Sequence, residues 1–442
     1  MLQLRDYQLE RLQYHLQNDR SLELLPMGRG KTPIACVYAK LQWDLYKEKS
    51  VWVMPVALLS KNKDEIMKWC EFSDEEVAML NVPKAKRMKI YADQNVKAFM
   101  MSGDTYAREW RELPSDVNVV IIDEFHQNFG SHTSMRTQQF YVSSRRFKKI
   151  KIMTGTLIAG KYSSAYPAIA VIEPRYYLNY NNFLAYHGVF NNFNQIVAWR
   201  NPEKLGEILR RHSSGLNDPF AGRKNWTEII FEKCNFDEKQ KMAYKEMEED
   251  ALLELEDKFI DARDSGGVKQ IRCRQILSCP ETLELNVGFL GKDDMLKVHL
   301  LNAKEENERL VIFSVFNAEQ NRIKKLCEDI GVRAEIMNGD VPSSKRGEID
   351  RKFQNKEIDV IIGSPKIASI GFNWEFIKEI IFTSMSYDNS EFSQAMGRGD
   401  RGSRTRPLLV YILTYDTKVE KRIMTILYRK SDELKKIFSK SS

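Results

Sequence analysis

Cysteine is scarce in this chain and follows no pattern. The six thiols, at positions 36, 70, 234, 273, 279 and 327, form no Cys-x-x-Cys pair. Together with only six scattered histidines, this argues against a structural zinc site, and the thiols fit a reducing compartment. No apolar run approaches the ~18 residues of a membrane span. The start, Met1-Leu2-Gln3-Leu4-Arg5-Asp6, is not a signal peptide. A cytoplasmic or nucleoid-associated protein with no membrane partner is expected. Neither sign of charge dominates. The net charge of +7 is compatible with a nucleic-acid partner without establishing one. No internal repeat or low-complexity segment is seen apart from a short Lys/Ser tail. With 43% hydrophobic residues over 442 positions, the composition is globular and the length calls for two or three domains.

What is present begins at Leu25-Pro26-Met27-Gly28-Arg29-Gly30-Lys31-Thr32. Gly-x-Gly-Lys-Thr between a leucine-rich strand and a helix is the sequence form of a phosphate-binding loop. Gly28 and Gly30 let the backbone approach an anion and turn N–H groups toward it, with Arg29 between them. The helix starting near Lys31 aims its positive end at the same point. Lys31 is placed to reach the β- and γ-phosphates of a nucleotide, and the Thr32 hydroxyl to sit on Mg²⁺. The full pattern has glycine where this chain has Leu25.

The second stretch is Val119-Val120-Ile121-Ile122-Asp123-Glu124-Phe125-His126. Four β-branched residues in a row fit a parallel strand buried on both faces. Two carboxylates at its carboxyl end face the crevice where open α/β sheets bind ligands. Asp123 can hold Mg²⁺, and Glu124 can orient and deprotonate an attacking water. Upstream, Tyr7-Gln8 is either a partly buried helix start or an adenine site, since the Gln8 amide offers both a donor and an acceptor.

Short strands at 51–55, 99–102 and 150–153 alternate with helices, which predicts a parallel sheet with helices on both sides. Residues 157 to about 300 differ. They are rich in aromatics and asparagine, and a long charged helical pattern spans 237–263 before Ser265-Gly266-Gly267. From about 293 a second α/β pattern sets in, with strands at 310–314, 334–337, 358–363, 377–383 and 408–413, but without a second phosphate loop. The fold class is therefore α/β, in two tandem domains with a helical connector. The boundaries are 1–157, 158–292 and 293–442. A nucleotide is expected where the two sheets meet.

The order of these blocks resembles the superfamily 2 helicases and translocases, and within them the Snf2-like group. Leu4-Arg5-Asp6-Tyr7-Gln8 resembles that group's adenine-contacting motif, which assigns Arg5 and Gln8 to the nucleotide. Thr154-Gly155-Thr156 resembles the coupling motif III, with Leu157 where proline is usual. Gly371-Phe372-Asn373 sits where motif V belongs. Gln394 through Gly402 resembles motif VI, with Asp400 in place of the usual His or Gln. The resemblance implies RecA-like domains, ATP and Mg²⁺ as cofactors, Gly371, Arg398 and Arg401 at the nucleotide, and Gln394 as a coupling residue. Arg398 and Arg401 lie three apart on one helix face. Their guanidinium groups can stabilise charge on a transferring phosphoryl, or can simply touch nucleic-acid phosphates.

The expected activity is nucleic-acid-stimulated ATP hydrolysis driving a monomer along DNA, with unwinding or branch migration of forked or branched DNA as the outcome. The chain is similar in size and content to compact phage-encoded branched-DNA helicases, which places it in a bacterial or phage-infected cytoplasm. The alternatives are an RNA helicase and the motor subunit of a restriction or remodelling complex. Candidate backbone contacts are Ser102, Thr105, Ser314, Ser364 and Lys366 at strand ends. Arg223 and Lys224 of the connector are candidates for a second duplex, and Phe183, Tyr186, Phe190, Phe193 and Trp199 include candidates to stack on unpaired bases.

Overall fold

The computed structural model describes residues 3–26, 28–155, 157–158, 162–215, 227–255, 258–262, 265–366, 372–400, 404 and 406–427. The chain divides into two units. Unit 1 is residues 1–221 with 431–442, and unit 2 is residues 222–430.

Alternation in the apolar runs builds each sheet. In unit 1, Val120 and Ile122 point into one hydrophobic cluster with Phe99, Val51 and Val53, while Val119 and Ile121 point into another with Trp52 and Met100. Side chains of a strand alternate between faces, so a run apolar at every position is covered on both. The strands are β1 (Arg20–Glu23), β2 (Lys49–Val53), β3 (Val77–Met79), β4 (Ala98–Met101), β5 (Val117–Asp123) and β6 (Lys149–Met153). They form one parallel sheet in the order β1-β6-β5-β2-β4-β3. A separate antiparallel hairpin of β7 (Gly188–Phe190) and β8 (Ile196–Trp199) follows.

Unit 2 repeats the plan. Leu310 and Ile312 enter one cluster, Val311 and Phe313 the other. Its strands are β9 (Thr227–Lys233), β12 (Leu310–Phe313), β13 (Ala334–Met337), β14 (Val360–Gly363), β15 (Glu379–Phe382) and β16 (Leu408–Thr414). Between β9 and β12 in sequence lies a small antiparallel pair, β10 (Leu252–Leu255) and β11 (Lys258–Asp261). The parallel sheet runs β13-β14-β12-β15-β16-β9. Both sheets are thus tandem parallel α/β structures, as the sequence predicts.

The stretch 158–292, read from sequence as one helical connector, is divided between the units and carries strands. Residues 158–221 cluster with unit 1 and 222–292 with unit 2. The long helical pattern over 237–263 stops at Asp250, because Ala251 turns left-handed (φ 54°). Beyond it, Leu253 is buried in the unit 2 core, so tertiary burial overrides a composition that favours helix. β9 also escapes the sequence reading. It is an edge strand whose short apolar run, Ile229 to Phe231, is flanked by Glu228, Glu232 and Lys233 and stays half-exposed rather than buried on both faces.

Candidate nucleotide site

Strand register sets the site. Glu23 at the end of β1 lies level with Met153 of β6, and Met153 lies level with Asp123 of β5. The residues that follow, Leu24, Thr154 and Glu124, therefore leave the sheet along one edge. Adjacent strands are ~4.8 Å apart, so three chain segments emerge within reach of one small ligand.

The loop after β1 is the phosphate-loop candidate. Gly28 and Gly30 sit at φ 73° and 79°, a region that costs side-chain-bearing residues energy and glycine none. A Cβ on Gly30 would also lie 2.3 Å from the Gln8 amide nitrogen. The helix Lys31–Tyr46 starts directly after it. The Lys31 ammonium donates to the carbonyls of Leu25 (2.9 Å) and Pro26 (3.3 Å), and Thr32 is half-buried at the helix start. Its neighbours brace the loop. The Tyr7 hydroxyl donates to Arg29 O (2.8 Å), and Gln8 Nε2 to Gly30 O (3.1 Å). Gln8 Oε1 accepts from the Arg5 N–H (2.8 Å). Tyr7 and Gln8 thereby fasten the helix Asp6–Gln17 to the loop, and the Arg5 N–H holds the Gln8 amide in place.

Asp123 and Glu124 are both buried. Burial first, and the charge of Glu124 next, push the Asp123 carboxyl above the usual carboxylate range, while Lys31 pulls it back. Two adjacent carboxylates with one lysine form an oxygen donor set short of positive charge, which fits a hard divalent cation such as Mg²⁺. Glu124 has left-handed backbone (φ 47°, ψ 52°) although it is not glycine. Such strain, on the order of 1–3 kcal/mol, collects where a side chain must be aimed. Thr154 is fully buried. Its hydroxyl meets His126 Nδ1 at 3.1 Å, and the same nitrogen lies 3.7 Å from Glu124 Oε2. The two motifs are thus joined through one imidazole, which the sequence reading left without a role.

Glu23 is a second missed residue. Its Oε1 accepts from Arg11 (2.8 Å) and from the Leu25 N–H (3.0 Å), and its Oε2 accepts from Ser214 (2.7 Å) and sits 3.2 Å from His15 Nε2. Burial would raise this carboxyl, but the His15 hydrogen bond and the Arg11 charge hold it below the usual range. Burial pushes the His15 imidazole below its ordinary value, and its Nδ1 lies 2.8 Å from Ser21 Oγ. The network fixes the point where β1 hands over to the loop. Its only signal in sequence is an acid inside an otherwise apolar strand end.

In unit 2, Arg398 and Gln394 lie on the helix Asn389–Gly399 and are both buried. Arg404, which sequence reasoning did not single out, donates to the carbonyls of Glu375, Gly399, Ile377 and Pro407 and so staples the turns around β15 and β16. Among the backbone-contact candidates, Ser102 caps the helix Gly103–Glu109 by accepting from the Thr105 N–H (3.1 Å). Ser314 is buried, with its hydroxyl committed to Glu319 (2.6 Å). Lys366 is exposed just past β14, next to half-buried Ser364. Thr156, Arg223, Lys224, Gly371 and Arg401 lie outside the described residues. A cleft of about 450 Å³ elsewhere in unit 1, lined by Arg20, His132, Tyr166 and Tyr180 among others, includes the start of β1 rather than the end where these groups converge.

Two family models match. Residues 1–157 match "Type III restriction enzyme, res subunit", and residues 291–403 match "Helicase conserved C-terminal domain". The chain is 24% identical over 160 residues to the ATP-dependent RNA helicase RhlB of Xanthomonas axonopodis pv. citri, covering 36% of this chain and a quarter (25%) of that protein. It is 22% identical to the SWI/SNF-related matrix-associated actin-dependent regulator of chromatin subfamily A member 1 of Mus musculus, over 95% of this chain and 42% of that protein. Among solved structures, the Sulfolobus solfataricus SWI2/SNF2 ATPase core in complex with dsDNA aligns at 17% identity over 100% of this chain and 98% of that one, with a TM-score of 0.42. One matched region ends just beyond Thr154 and carries the phosphate loop and the acid pair, and the other carries Gln394 and Arg398: the chain is similar to the superfamily 2 helicases and translocases and, along nearly its whole length, to a relative of their Snf2-like group.

Proposed function

We propose that the chain hydrolyses ATP and spends the energy moving along DNA, opening forked or branched structures. The observation that carries this is the single sheet edge on which the phosphate loop, Thr154 and the strained Glu124 converge. In this reading the N–H groups around Gly28 and Gly30 and the Lys31 ammonium bind the phosphates. Thr32 and Asp123 are the residues to hold Mg²⁺, which when bound screens phosphate charge. Glu124 orients the attacking water and takes its proton. The His126–Thr154 bond passes any shift of Glu124 to the end of β6. Arg398 and Arg401 supply positive charge to the transferring phosphoryl during turnover.

DNA rather than RNA rests on the Snf2-like order of motifs, and a relative aligned over 95% of the chain is by name a regulator of chromatin. The RNA reading draws on the RhlB relatives, which align over 36%. The deciding experiment compares ATPase rates of the purified chain with duplex, single-stranded and forked DNA and with RNA, at one salt concentration. Stimulation greatest on forked DNA is expected. Stimulation by RNA alone replaces the DNA reading, and no stimulation by any nucleic acid removes the motor.

A further inference from the structure

The hairpin β7–β8 stands apart from the sheet of unit 1, since its two strands pair only with each other. Its root is fixed. His187 is fully buried between the Tyr177 hydroxyl (2.6 Å from Nε2) and Arg200 O (3.0 Å from Nδ1). Trp199 stacks on Tyr162 with ring centroids 5.2 Å apart and planes 12° off parallel. Gly188 is tightly enclosed, since a Cβ there would lie 2.8 Å from Leu184 O.

The turn is fixed as well. Asn191 Oδ1 accepts from the Phe193 N–H (3.0 Å) and the Gln195 N–H (2.9 Å), and Asn194 takes the left-handed conformation, φ 59°. This rigid turn holds Phe193 outward with 84% of its surface exposed, beside exposed Phe190 and Val197. A folded chain that can bury a phenylalanine gains ~2 kcal/mol by doing so, yet here every local constraint keeps the ring in solvent.

The surroundings say what the ring meets. From Pro174 to Pro202 there is no aspartate or glutamate, although the chain has 61 of them, while Arg175 and Arg200 contribute positive charge and seven asparagines contribute amides. A segment that brings no carboxylate of its own, with amide donors and an aromatic plane, tolerates phosphates and offers bases a face to stack on. We propose that the β7–β8 hairpin is a strand-separating wedge, and that Phe193 at its tip stacks on the first unpaired base at a fork. This rests on the DNA-motor reading above and names the element that converts movement into opening. It also sorts the connector aromatics. Phe183 is fully buried and Trp199 is stacked at the root, so both hold the hairpin, and Phe193 is the ring that reaches out.

The test uses the full chain with Phe193→Ala and Phe193→Trp. Three rates are read in parallel: DNA-stimulated ATPase, displacement of a triplex-forming strand from duplex, which reports movement without unwinding, and unwinding of a fork with 2-aminopurine at the junction. Phe193→Ala is expected to keep the first two rates and to lose unwinding by about fivefold or more, the scale of one base–aromatic stack. It is also expected to lose the junction fluorescence quench seen with the wild type, while Phe193→Trp restores both. Normal unwinding by Phe193→Ala overturns the wedge and leaves the hairpin as a surface for a protein partner. Parallel loss of all three rates overturns it too, as a defect of the motor. Failure of DNA to stimulate the wild type is a separate result, which overturns the motor reading itself.

Discussion

In unit 1, the sheet ends in a loop with two left-handed glycines and in two adjacent buried carboxylates. In unit 2, the segments leaving β12 and β15 carry instead Ser314 and Ser384, whose hydroxyls both donate to Glu319 Oε2 at 2.6 Å. Both edges hold a buried acid with its carboxyl pushed upward, by burial first in each case. The neighbours differ. Glu319 meets two hydroxyl donors and the positive charges of Lys292 and Arg322, all of its own unit, whereas the charge that acts most on Asp123 is another carboxylate, Glu124, balanced in part by Lys31. A parallel sheet supplies a crevice at its carboxyl edge whatever its sequence. The adjacent carboxylates and the glycine loop set one of these two crevices apart as the candidate nucleotide site.

Removing the second carboxylate or the loop lysine breaks this contrast most strongly. Glu124→Gln is expected to bind ATP but to lose turnover by ~10²–10⁴, the range of a positioned base. Lys31→Ala is expected to lose nucleotide affinity as well as turnover. Nucleotide titration beside steady-state hydrolysis separates the two, and near-normal turnover in Glu124→Gln removes that residue as the base.

Next comes the root of the loop. Glu23→Gln leaves Arg11 buried without its counter-charge, which costs ~3 kcal/mol of stability. The pH dependence has a definite sign. Because the folded Glu23 carboxyl is held below its ordinary value, its contribution is complete above the unfolded carboxylate range. It is lost as pH falls through the folded value. Denaturant unfolding of the variant is therefore expected to show lower stability at neutral pH and a smaller further loss on acidification. An unchanged acid limb disconnects Glu23 from the loop's stability.

Sequence carried the inner framework well for a physical reason. Runs such as Val119–Ile122 and Val360–Ile362 are apolar at every position because both faces are covered, and a doubly buried strand has no other way to be written. The Gly-x-Gly-Lys-Thr loop was legible because left-handed backbone selects glycine. Glu124 shares that backbone region without being glycine, so nothing in its letter announces it. Glu23 and His126 act through partners distant in sequence, Ser214 and Thr154, and pairings of that kind are invisible until the strands are in register. The half-exposed edge strand β9 and the small hairpins lack the burial that marks a strand.

A smaller effect tests whether the two motifs are coupled by the imidazole. Thr154→Val keeps the shape and removes the hydroxyl that meets His126. Loss of one such hydrogen bond, ~1 kcal/mol, corresponds to about a fivefold fall in turnover with nucleotide affinity kept. The same fall in affinity and turnover together places Thr154 in binding instead.

The smallest effect sharpens the contrast from the other side. Ser384 Oγ accepts from the Val315 N–H (2.9 Å) while donating to Glu319, and so ties the ends of β12 and β15 together. Ser384→Ala removes both bonds, but Glu319 keeps Ser314. Its carboxyl, already pushed upward by burial, can take up a proton more readily than it can tolerate an unpaired charge. The cost is therefore ~1–2 kcal/mol of stability, read by denaturant unfolding, with ATP affinity and turnover unchanged. A fall in ATP affinity matching that of Lys31→Ala puts nucleotide at the unit 2 edge, and the distinction between an acid balanced by two cations of its own unit and a carboxylate pair facing one lysine no longer separates the two sheets.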